Sequence, residues 1–130
     1  MKAFISAPYR GKDEESVKYN IFIANAFGRM VKDRFGVEPI IVHNMIKDLW
    51  GYDDFPPDTI EDNKIVKFNR IVFDQCDWVI LCGDFITHGM KTELKWAYDG
   101  SKRVEYVKNS DLAKWMIGEE RIMDIGRHTI

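Results

Sequence analysis

The apolar run Trp78-Val79-Ile80-Leu81-Cys82 leads into the polar stretch Gly83-Asp84-Phe85-Ile86-Thr87-His88-Gly89-Met90-Lys91-Thr92-Glu93. Leu94-Lys95-Trp96-Ala97-Tyr98 follows and ends at Gly100. This pattern predicts a buried strand, then a polar turn, then a helix. Ligands of open α/β sheets bind at such junctions, outside the carboxyl ends of the strands. We therefore expect the binding site of the protein in this turn.

The turn carries three features that bear on what could bind there. Thr87 supplies a hydroxyl, Gly89 a flexible backbone and Glu93 a carboxylate that we expect in the first helical turn. A helix N-terminus attracts anions, so a carboxylate beside it suits chemistry on a sugar phosphate or a nucleotide. The alternative is structural: Thr87 caps the helix and Glu93 interacts favourably with its dipole. Both interpretations remain open on these residues alone.

Length and composition limit the class of protein. A chain of 130 residues predicts one domain, spanning residues 1–130. With 19 basic and 21 acidic residues, a net charge of −2 and no basic cluster, we expect no nucleic-acid partner. The first apolar run is too short for a signal peptide. No apolar stretch approaches the ~18 residues of a membrane span, so we expect a cytoplasmic protein that binds no membrane.

The cysteines and histidines do not predict a metal site or a disulfide. Cys76 and Cys82 lie at opposite ends of one predicted strand, which is too far apart for them to bridge each other. We expect both thiols to be free and buried in a reducing compartment. The histidines, His43, His88 and His128, lack the spacing of metal ligands. We predict no metal and no cofactor.

The first predicted strand, Lys2-Ala3-Phe4-Ile5-Ser6, ends in the loop Ala7-Pro8-Tyr9-Arg10-Gly11, which Pro8 and Gly11 punctuate. An aromatic ring and a guanidinium at the carboxyl end of a strand can stack on a ligand and clamp it. Equally, Tyr9 can be a packing residue and Arg10 a solvated charge.

A long amphipathic helix and a second strand follow this loop. Asp13-Glu14-Glu15-Ser16 is a typical helix start, and Gly36 ends the apolar periodicity. Pro39-Ile40-Ile41-Val42-His43 predicts a second strand buried on both faces, which makes a right-handed parallel crossover. His43 would end that strand on the same edge of the sheet as Tyr9, either as a structural histidine or as a binding residue.

The remaining chain completes the predicted sheet. Residues 44–57 lack a regular pattern and read either as an aromatic lid or as a hydrophobic cluster packed on the sheet. A helix that starts at Asp58 or Thr59 would carry Asn69 and lead into the third, central strand. We predict a fourth strand over residues 103–107, then a helix from Ser110 that ends at Gly118. The tail to residue 130 would add a last strand or pack on another subunit.

These elements predict an α/β fold: a small doubly wound, flavodoxin- or Rossmann-like parallel sheet of four to five strands with helices on both faces. The site would lie where Tyr9, Arg10, His43 and the segment Thr87 to Glu93 converge.

Two motifs resemble the nucleoside 2-deoxyribosyltransferase-like superfamily. Phe4-Ile5-Ser6-Ala7-Pro8-Tyr9-Arg10-Gly11 is similar to its opening. Cys76-Asp77 before an apolar strand, then Gly83-Asp84 and Thr87-His88-Gly89 with Glu93, resembles its second signature, a small polar residue six positions and a glycine four positions before the glutamate. The resemblance covers roughly residues 2 to 107. It is strongest to an uncharacterised branch with Ser-Pro-Tyr-Arg-Gly and Ile-Ser-x-Gly-Met-x-x-Glu motifs.

The resemblance implies a doubly wound sheet and cleavage or transfer at a deoxyribose N-glycosidic bond, through a glycosyl-enzyme intermediate on the glutamate. Glu93 holds the position of that nucleophile, and a carboxylate beside an oxocarbenium-like centre is sound chemistry. We expect Glu93 and Tyr9 to be catalytic, in a homodimer or higher homo-oligomer that binds a small nucleotide or nucleoside. The expected substrate-binding residues are Ser6, Pro8, Arg10, Gly11, His43, Asn69, Asp84, Thr87, His88, Gly89 and Met90.

Two positions depart from the pattern of the resembling enzymes. Those enzymes carry an aspartate, which helps to protonate the leaving base, eight positions before the aspartate that opens the strand; here that position is Asn69. Either Asp74, Asp84 or an aspartate of the 44–57 segment replaces it, or the protein binds without cleaving. Thr87 resembles the serine that contacts phosphate in hydrolases of nucleoside monophosphates, whereas base-exchanging transferases have aspartate there. We therefore expect a nucleotide N-glycosidase acting on a 5′-monophosphate, of a deoxyribonucleoside in the first instance. A base-exchanging transferase or a non-catalytic nucleotide-binding module is the alternative.

Overall fold

The computed structural model describes residues 1–52 and 64–128, with side chains described as far as Gly118. These residues form a sheet of four parallel strands in the order β2-β1-β3-β4, surrounded by five helices. The elements are β1 Lys2–Ser6, α1 Glu14–Phe35, β2 Glu38–Ile40, α2 Val42–Trp50, α3 Lys64–Asp74, β3 Trp78–Cys82, α4 His88–Asp99, β4 Arg103–Val107 and α5 Asn109–His128. The predicted α/β class, the parallel sheet and the central position of β3 are confirmed.

Helices cover both faces of the sheet because alternate side chains of the central strands point to opposite sides. On one face, Ile5 of β1 and Ile80 of β3 pack with Phe27 of α1 and Leu112 of α5. On the other face, the core cluster combines residues of β1, β3 and the helices α2, α3 and α4: Phe4, Val42, Ile46, Val72, Phe73, Val79 and Ala97. The predicted arrangement of helices on both faces is confirmed.

The long helix α1 begins and ends where the sequence predicts. The Asp13 carboxylate accepts a hydrogen bond from the Ser16 N–H over 2.8 Å, and so caps the N-terminus. Gly36 ends the helix in the left-handed conformation, with φ of 66°, which residues other than glycine rarely adopt. Val17, Ile21 and Ala24 lie on its buried face, as the apolar period predicts.

The prediction of a second strand over Pro39 to His43 is wrong in its second half. β2 ends at Ile40, and it is a partly exposed edge strand rather than one buried on both faces. The chain turns at Ile41, so His43 lies in the first turn of α2 instead of at a strand end. The irregular segment predicted from Asn44 is helical as far as Trp50. Residues 51 and 52 form a turn, and the rest of the segment, with the predicted start of the next helix, falls in residues 53–63, which lie outside the described residues.

The C-terminal part of the chain also differs from the prediction. Gly118 does not end the last helix, which continues to His128, so this segment adds no strand to the sheet. Cys76 and Cys82 are free and buried, as predicted. No helix in the described part of the chain is both long enough and apolar enough to cross a membrane.

Candidate active site

A cleft of about 430 Å³ opens beside the carboxyl ends of β1 and β3. These two strands are neighbours in the sheet, and the connections that leave them run to opposite faces, because α1 and α4 pack on different sides of the sheet. Such a topological switch point is where open α/β sheets bind ligands. The cleft brings together nine of the predicted site residues: Tyr9, Arg10, His43, Asn69, Thr87, His88, Gly89, Met90 and Glu93.

Glu93 is a buried carboxylate in this cleft, with 6% of its surface exposed. The Ser6 hydroxyl donates to its Oε1 over 2.7 Å, and the Asn69 amide donates from Nδ2 to its Oε2 over 2.7 Å. The prediction that Glu93 lies in the first turn of its helix is wrong. Because α4 begins at His88, Glu93 lies in the second turn, and the first turn carries no acidic residue. A favourable interaction with the helix dipole therefore does not explain the carboxylate, since that effect fades within the first turn.

Burial favours the protonated, neutral form of the Glu93 carboxyl. Burial raises the pKa of this carboxyl from 4.5 to about 7, although the hydrogen bonds from Ser6 and Asn69 act in the opposite direction. Near neutral pH the group therefore exists in both forms. Carboxyl groups with such raised pKa values are enriched at functional sites, where burial tunes their ionisation.

His43 is held in one orientation and one protonation state. Its Nε2 lies 3.1 Å from the carbonyl oxygens of both Ala7 and Pro8. Since carbonyl oxygens only accept, Nε2 carries the proton and donates. Burial lowers the pKa of the ring, which keeps it neutral. Nδ1 is therefore a bare acceptor, and it has no hydrogen-bond partner among the described residues.

Tyr9 lies against His43, with ring centroids 5.5 Å apart in an edge-on arrangement. Burial, with a smaller contribution from Tyr52, raises the pKa of its phenol, so the hydroxyl stays protonated. Within the described part of the chain the Tyr9 hydroxyl and the Asn69 Oδ1 are, like His43 Nδ1, buried without a hydrogen-bond partner. Buried polar atoms are normally satisfied. Three unsatisfied atoms on the wall of one cleft therefore mark a place for a polar ligand or for water.

The N-terminus of α4 forms another wall of the cleft. Thr87 caps the helix as predicted, and its Oγ1 accepts from the Met90 N–H over 3.2 Å. The first N–H groups of a helix have no carbonyl partner within the helix. This leaves the N–H groups of His88 and Gly89 for an anion. At Gly89 a side chain would meet nothing nearer than Thr87 Oγ1 at 4.0 Å, so the backbone is open at this point.

Four predicted residues do not line the cleft. Ser6 lies behind it and reaches only Glu93, and Pro8 contributes its carbonyl to His43. Gly11 packs on the start of α1, where an added Cβ would come within 2.3 Å of the Ser16 Cβ. Asp84 is exposed and accepts a hydrogen bond from the Asn109 N–H over 3.1 Å, which ties the loop after β3 to α5.

Other residues of the site were missed by the sequence analysis. Asn25 of α1 and Asn44 of α2 exchange two amide hydrogen bonds of 2.9 Å each, which fix the helix that carries His43. The Asn20 amide donates to the carbonyls of Tyr9 and Arg10 and so anchors their loop. No sequence pattern singles out these asparagines. The unpredicted lining residues are Ala7, Val42, Ile46, Ile65, Val66, Thr92 and Trp96.

Across residues 1–52 and 64–118, no three His, Cys, Asp or Glu side chains converge as the ligands of a metal ion would. The cleft instead offers one titrating carboxyl, a neutral imidazole, a phenol and a helix N-terminus. That combination suits an uncharged polar group, such as a sugar, next to an anion.

Fold and site together define a parallel α/β protein with a polar cleft at its topological switch point. Residues 1–107 match the family described as Domain of unknown function (DUF7768), and the chain belongs to that family. The match runs from β1 to the end of β4 and leaves out α5. No protein with a curated description and no solved structure matches the chain significantly.

Proposed function

We propose that the protein is a nucleotide N-glycosidase that cleaves the glycosidic bond of a (deoxy)ribonucleoside 5′-monophosphate with Glu93 as its nucleophile. The observation that carries the proposal is the Glu93 carboxylate, buried in a cleft and held through both oxygens by Ser6 and Asn69. Two fixed hydrogen bonds orient the carboxylate, as positional control of a nucleophile requires. The resemblance of the two sequence motifs to the 2-deoxyribosyltransferase-like superfamily supports the same assignment.

The proposed reaction proceeds in two steps. The Glu93 carboxylate attacks C1′ while the bond from C1′ to the base nitrogen breaks, and the base leaves with that electron pair and takes up a proton. Water then attacks C1′ of the glycosyl-enzyme and breaks its bond to the Glu93 oxygen, which releases the sugar phosphate and regenerates the carboxylate; the proton that the water loses balances the one that the base took up. Only the ionised fraction of Glu93 attacks, so a pKa of about 7 permits the reaction at neutral pH.

The N-terminus of α4 would hold the phosphate. Thr87 and Glu93 are six residues apart on this helix, which corresponds to about 9 Å along its axis. That distance leaves room for a pentose between a phosphate at Thr87 and a C1′ at Glu93. The Thr87 hydroxyl and the N–H groups of His88 and Gly89 are suitable donors to phosphate oxygens. The separation also keeps the phosphate away from the charge of Glu93.

Asn69 favours one alternative from another class, a module that binds nucleotides without cleaving them. A neutral amide cannot protonate a leaving base, whereas the resembling enzymes place an acid at this position. A base-exchanging transferase is the other alternative, and it differs only in the acceptor, a second base in place of water. The Thr87 hydroxyl favours a phosphorylated substrate over that reaction, because the resembling transferases have aspartate there.

Base release from a nucleotide panel, followed by chromatography, tests the proposal. We expect one or more monophosphates to yield free base. Glu93→Gln should abolish release, since loss of a nucleophile can cost factors of up to about 10⁶. Glu15→Gln makes the same chemical change on the exposed part of α1 and should leave the rate unchanged. Binding without release from any nucleotide would favour the sensing module, and an active Glu93→Gln variant would exclude the proposed nucleophile.

A further inference from the structure

The Asn69 side chain has two polar ends with different surroundings. Its Nδ2 donates to Glu93 Oε2 over 2.7 Å, while its Oδ1 is buried at the cleft wall without a partner among the described residues. With Glu93 ionised, as the proposed attack requires, this hydrogen bond fixes the orientation of the amide, because the carboxylate only accepts and only the NH₂ end donates. Oδ1 is therefore an acceptor that awaits a donor from whatever fills the cleft.

The position of Asn69 Oδ1 places it near the C2′ substituents of a sugar bound in the cleft. Under the proposed function, C1′ sits against the Glu93 carboxylate. C2′ is bonded to C1′, so its substituents lie close to the residues that touch that carboxylate. Asn69 contacts Glu93 directly, and its Oδ1 belongs to the same planar amide group as the bonded Nδ2. Hydrogen bonds to the 2-hydroxyl that strengthen in the transition state are an established source of stabilisation in glycoside cleavage.

His43 Nδ1 is a second acceptor in the cleft that lacks a hydrogen-bond donor within the described part of the chain. His43 Nδ1 is bare because Nε2 donates to the Ala7 and Pro8 carbonyls. The cleft thus presents two buried acceptors without a donor among the described residues, and the O–H or N–H groups of a ligand can satisfy both. A ribose, with hydroxyls at C2′ and C3′, supplies one donor more than a 2′-deoxyribose.

We propose that the protein selects ribonucleotides over 2′-deoxyribonucleotides, with Asn69 Oδ1 accepting a hydrogen bond from the 2′-hydroxyl. This selectivity rests on the proposed function and departs from the deoxyribose that the family resemblance implies. A deoxyribose would leave Asn69 Oδ1 buried and unpaired in the complex, which costs affinity.

Calorimetric titration with ribose 5-phosphate and 2-deoxyribose 5-phosphate tests the proposal. These probes lack the glycosidic bond and the base, so the measurement depends neither on turnover nor on which base is recognised. We expect the wild-type protein to bind ribose 5-phosphate about tenfold more tightly, the effect of one hydrogen bond to a buried acceptor. Asn69→Ala should bring the ratio of the two affinities close to one.

Ser6→Ala is the matched control. It also removes a hydrogen bond to Glu93, but from Oε1, and it leaves the Asn69 amide in place. We expect Ser6→Ala to change the affinity for both sugars alike and to keep their ratio. A melting curve for each variant verifies that it is folded, and the wild-type comparison requires no variant.

The binding measurements test the ribose selectivity independently of the proposed N-glycosidase activity. Equal affinities, a preference for the deoxy sugar, or a preference that survives Asn69→Ala would overturn the ribose selectivity. Absence of binding by either sugar phosphate would overturn it as well. Release of base from nucleotides is measured independently, so a protein that cleaves deoxynucleotides as fast as ribonucleotides would keep the proposed function and lose this inference.

Discussion

Replacement of Glu93 by glutamine should stabilise the protein, and by more at alkaline than at acidic pH. The carboxyl is buried, and burial raises its pKa from 4.5 to about 7. Glutamine has nearly the same shape but no charge to bury. The hydroxyl of Ser6 can rotate to accept from the new amide, so the substitution need not leave an unpaired donor.

The direction follows from the protons bound in each state. Between pH 4.5 and 7 the folded protein keeps the proton of Glu93 while the unfolded chain loses it, so stability falls as the pH rises through this window. Above pH 7 Glu93 is ionised in both the folded and the unfolded protein, and the full free-energy cost of burying its charge lowers the stability. A rise of the pKa from 4.5 to about 7 corresponds to roughly 3 kcal/mol, at about 1.4 kcal/mol per pKa unit. By the same relation roughly 1 kcal/mol of this cost is already present at pH 5.

Urea unfolding at pH 5 and pH 8, followed by circular dichroism, measures the effect. We expect the gain in unfolding free energy from Glu93→Gln to be roughly 2 kcal/mol larger at pH 8 than at pH 5. Glu15→Gln, at an exposed position, should change stability by less than about 0.5 kcal/mol at either pH. A gain that is the same at both pH values, or a Glu93→Gln protein that is less stable than wild type at pH 8, would refute the reasoning about burial.

Two further predictions concern the ligand and the assembly. Nucleoside monophosphates should bind at least about tenfold better than the matching nucleosides, about 1.4 kcal/mol, and Thr87→Asp should erase the difference by repelling the phosphate; calorimetry that finds equal wild-type affinities contradicts the phosphate site. We also expect a homodimer, because Tyr19 and Phe22 of α1 and Leu49 of α2 each expose more than half of their surface. Light scattering at the mass of one chain, 15.3 kDa, at all concentrations would exclude the dimer.

The parts of the fold that the sequence predicts correctly are those with a clear period and a clear stop. Trp78–Cys82 is apolar at every position and lies in the centre of the sheet. The helix α1 has an acidic start, a capping Asp13 and a terminal Gly36, and each of these signals acts within a few residues. Local rules are sufficient where the local free energy and the tertiary contacts favour the same structure.

The segment after β2 was mispredicted because two patterns overlap there. Ile40, Ile41 and Val42 are β-branched and favour a strand, yet the strand ends at Ile40 and the helix starts at Val42. Val42 and Ile46 do show helical spacing, and both are buried in α2. That period was the signal that could have identified the helix. Similarly, Gly118 costs about 1 kcal/mol within a helix but does not necessarily end it, and α5 continues past it.

The cleft contains nine of the residues that were predicted for the site, but the hydrogen bonds between them were not predicted. The cleft contains Tyr9, His43 and Glu93, as predicted, although His43 reaches it from the first turn of α2 rather than from the predicted strand end. The contact from Ser6 to Glu93 joins residues 87 positions apart, so no local pattern predicts it. The tautomer of His43 likewise depends on the carbonyls of a distant loop. Hydrogen-bond partners across such separations are set by the packing of whole elements.

The amide of Asn69 can orient the Glu93 carboxylate but cannot donate a proton to a base, whereas an aspartate at this position could do both. A carboxyl group there would lie within hydrogen-bonding distance of Glu93, and two such groups would share one proton, so neither could be ionised independently. With Asn69 in place, Glu93 is held as an acceptor by Ser6 and Asn69 and titrates without a second acid in contact. Under the proposed function, the leaving base must then take its proton from another group. Tyr9 lines the same cleft and stays protonated because burial raises the pKa of its phenol, so under this proposal its hydroxyl donates a hydrogen bond to the base, while the raised pKa makes it a weak acid.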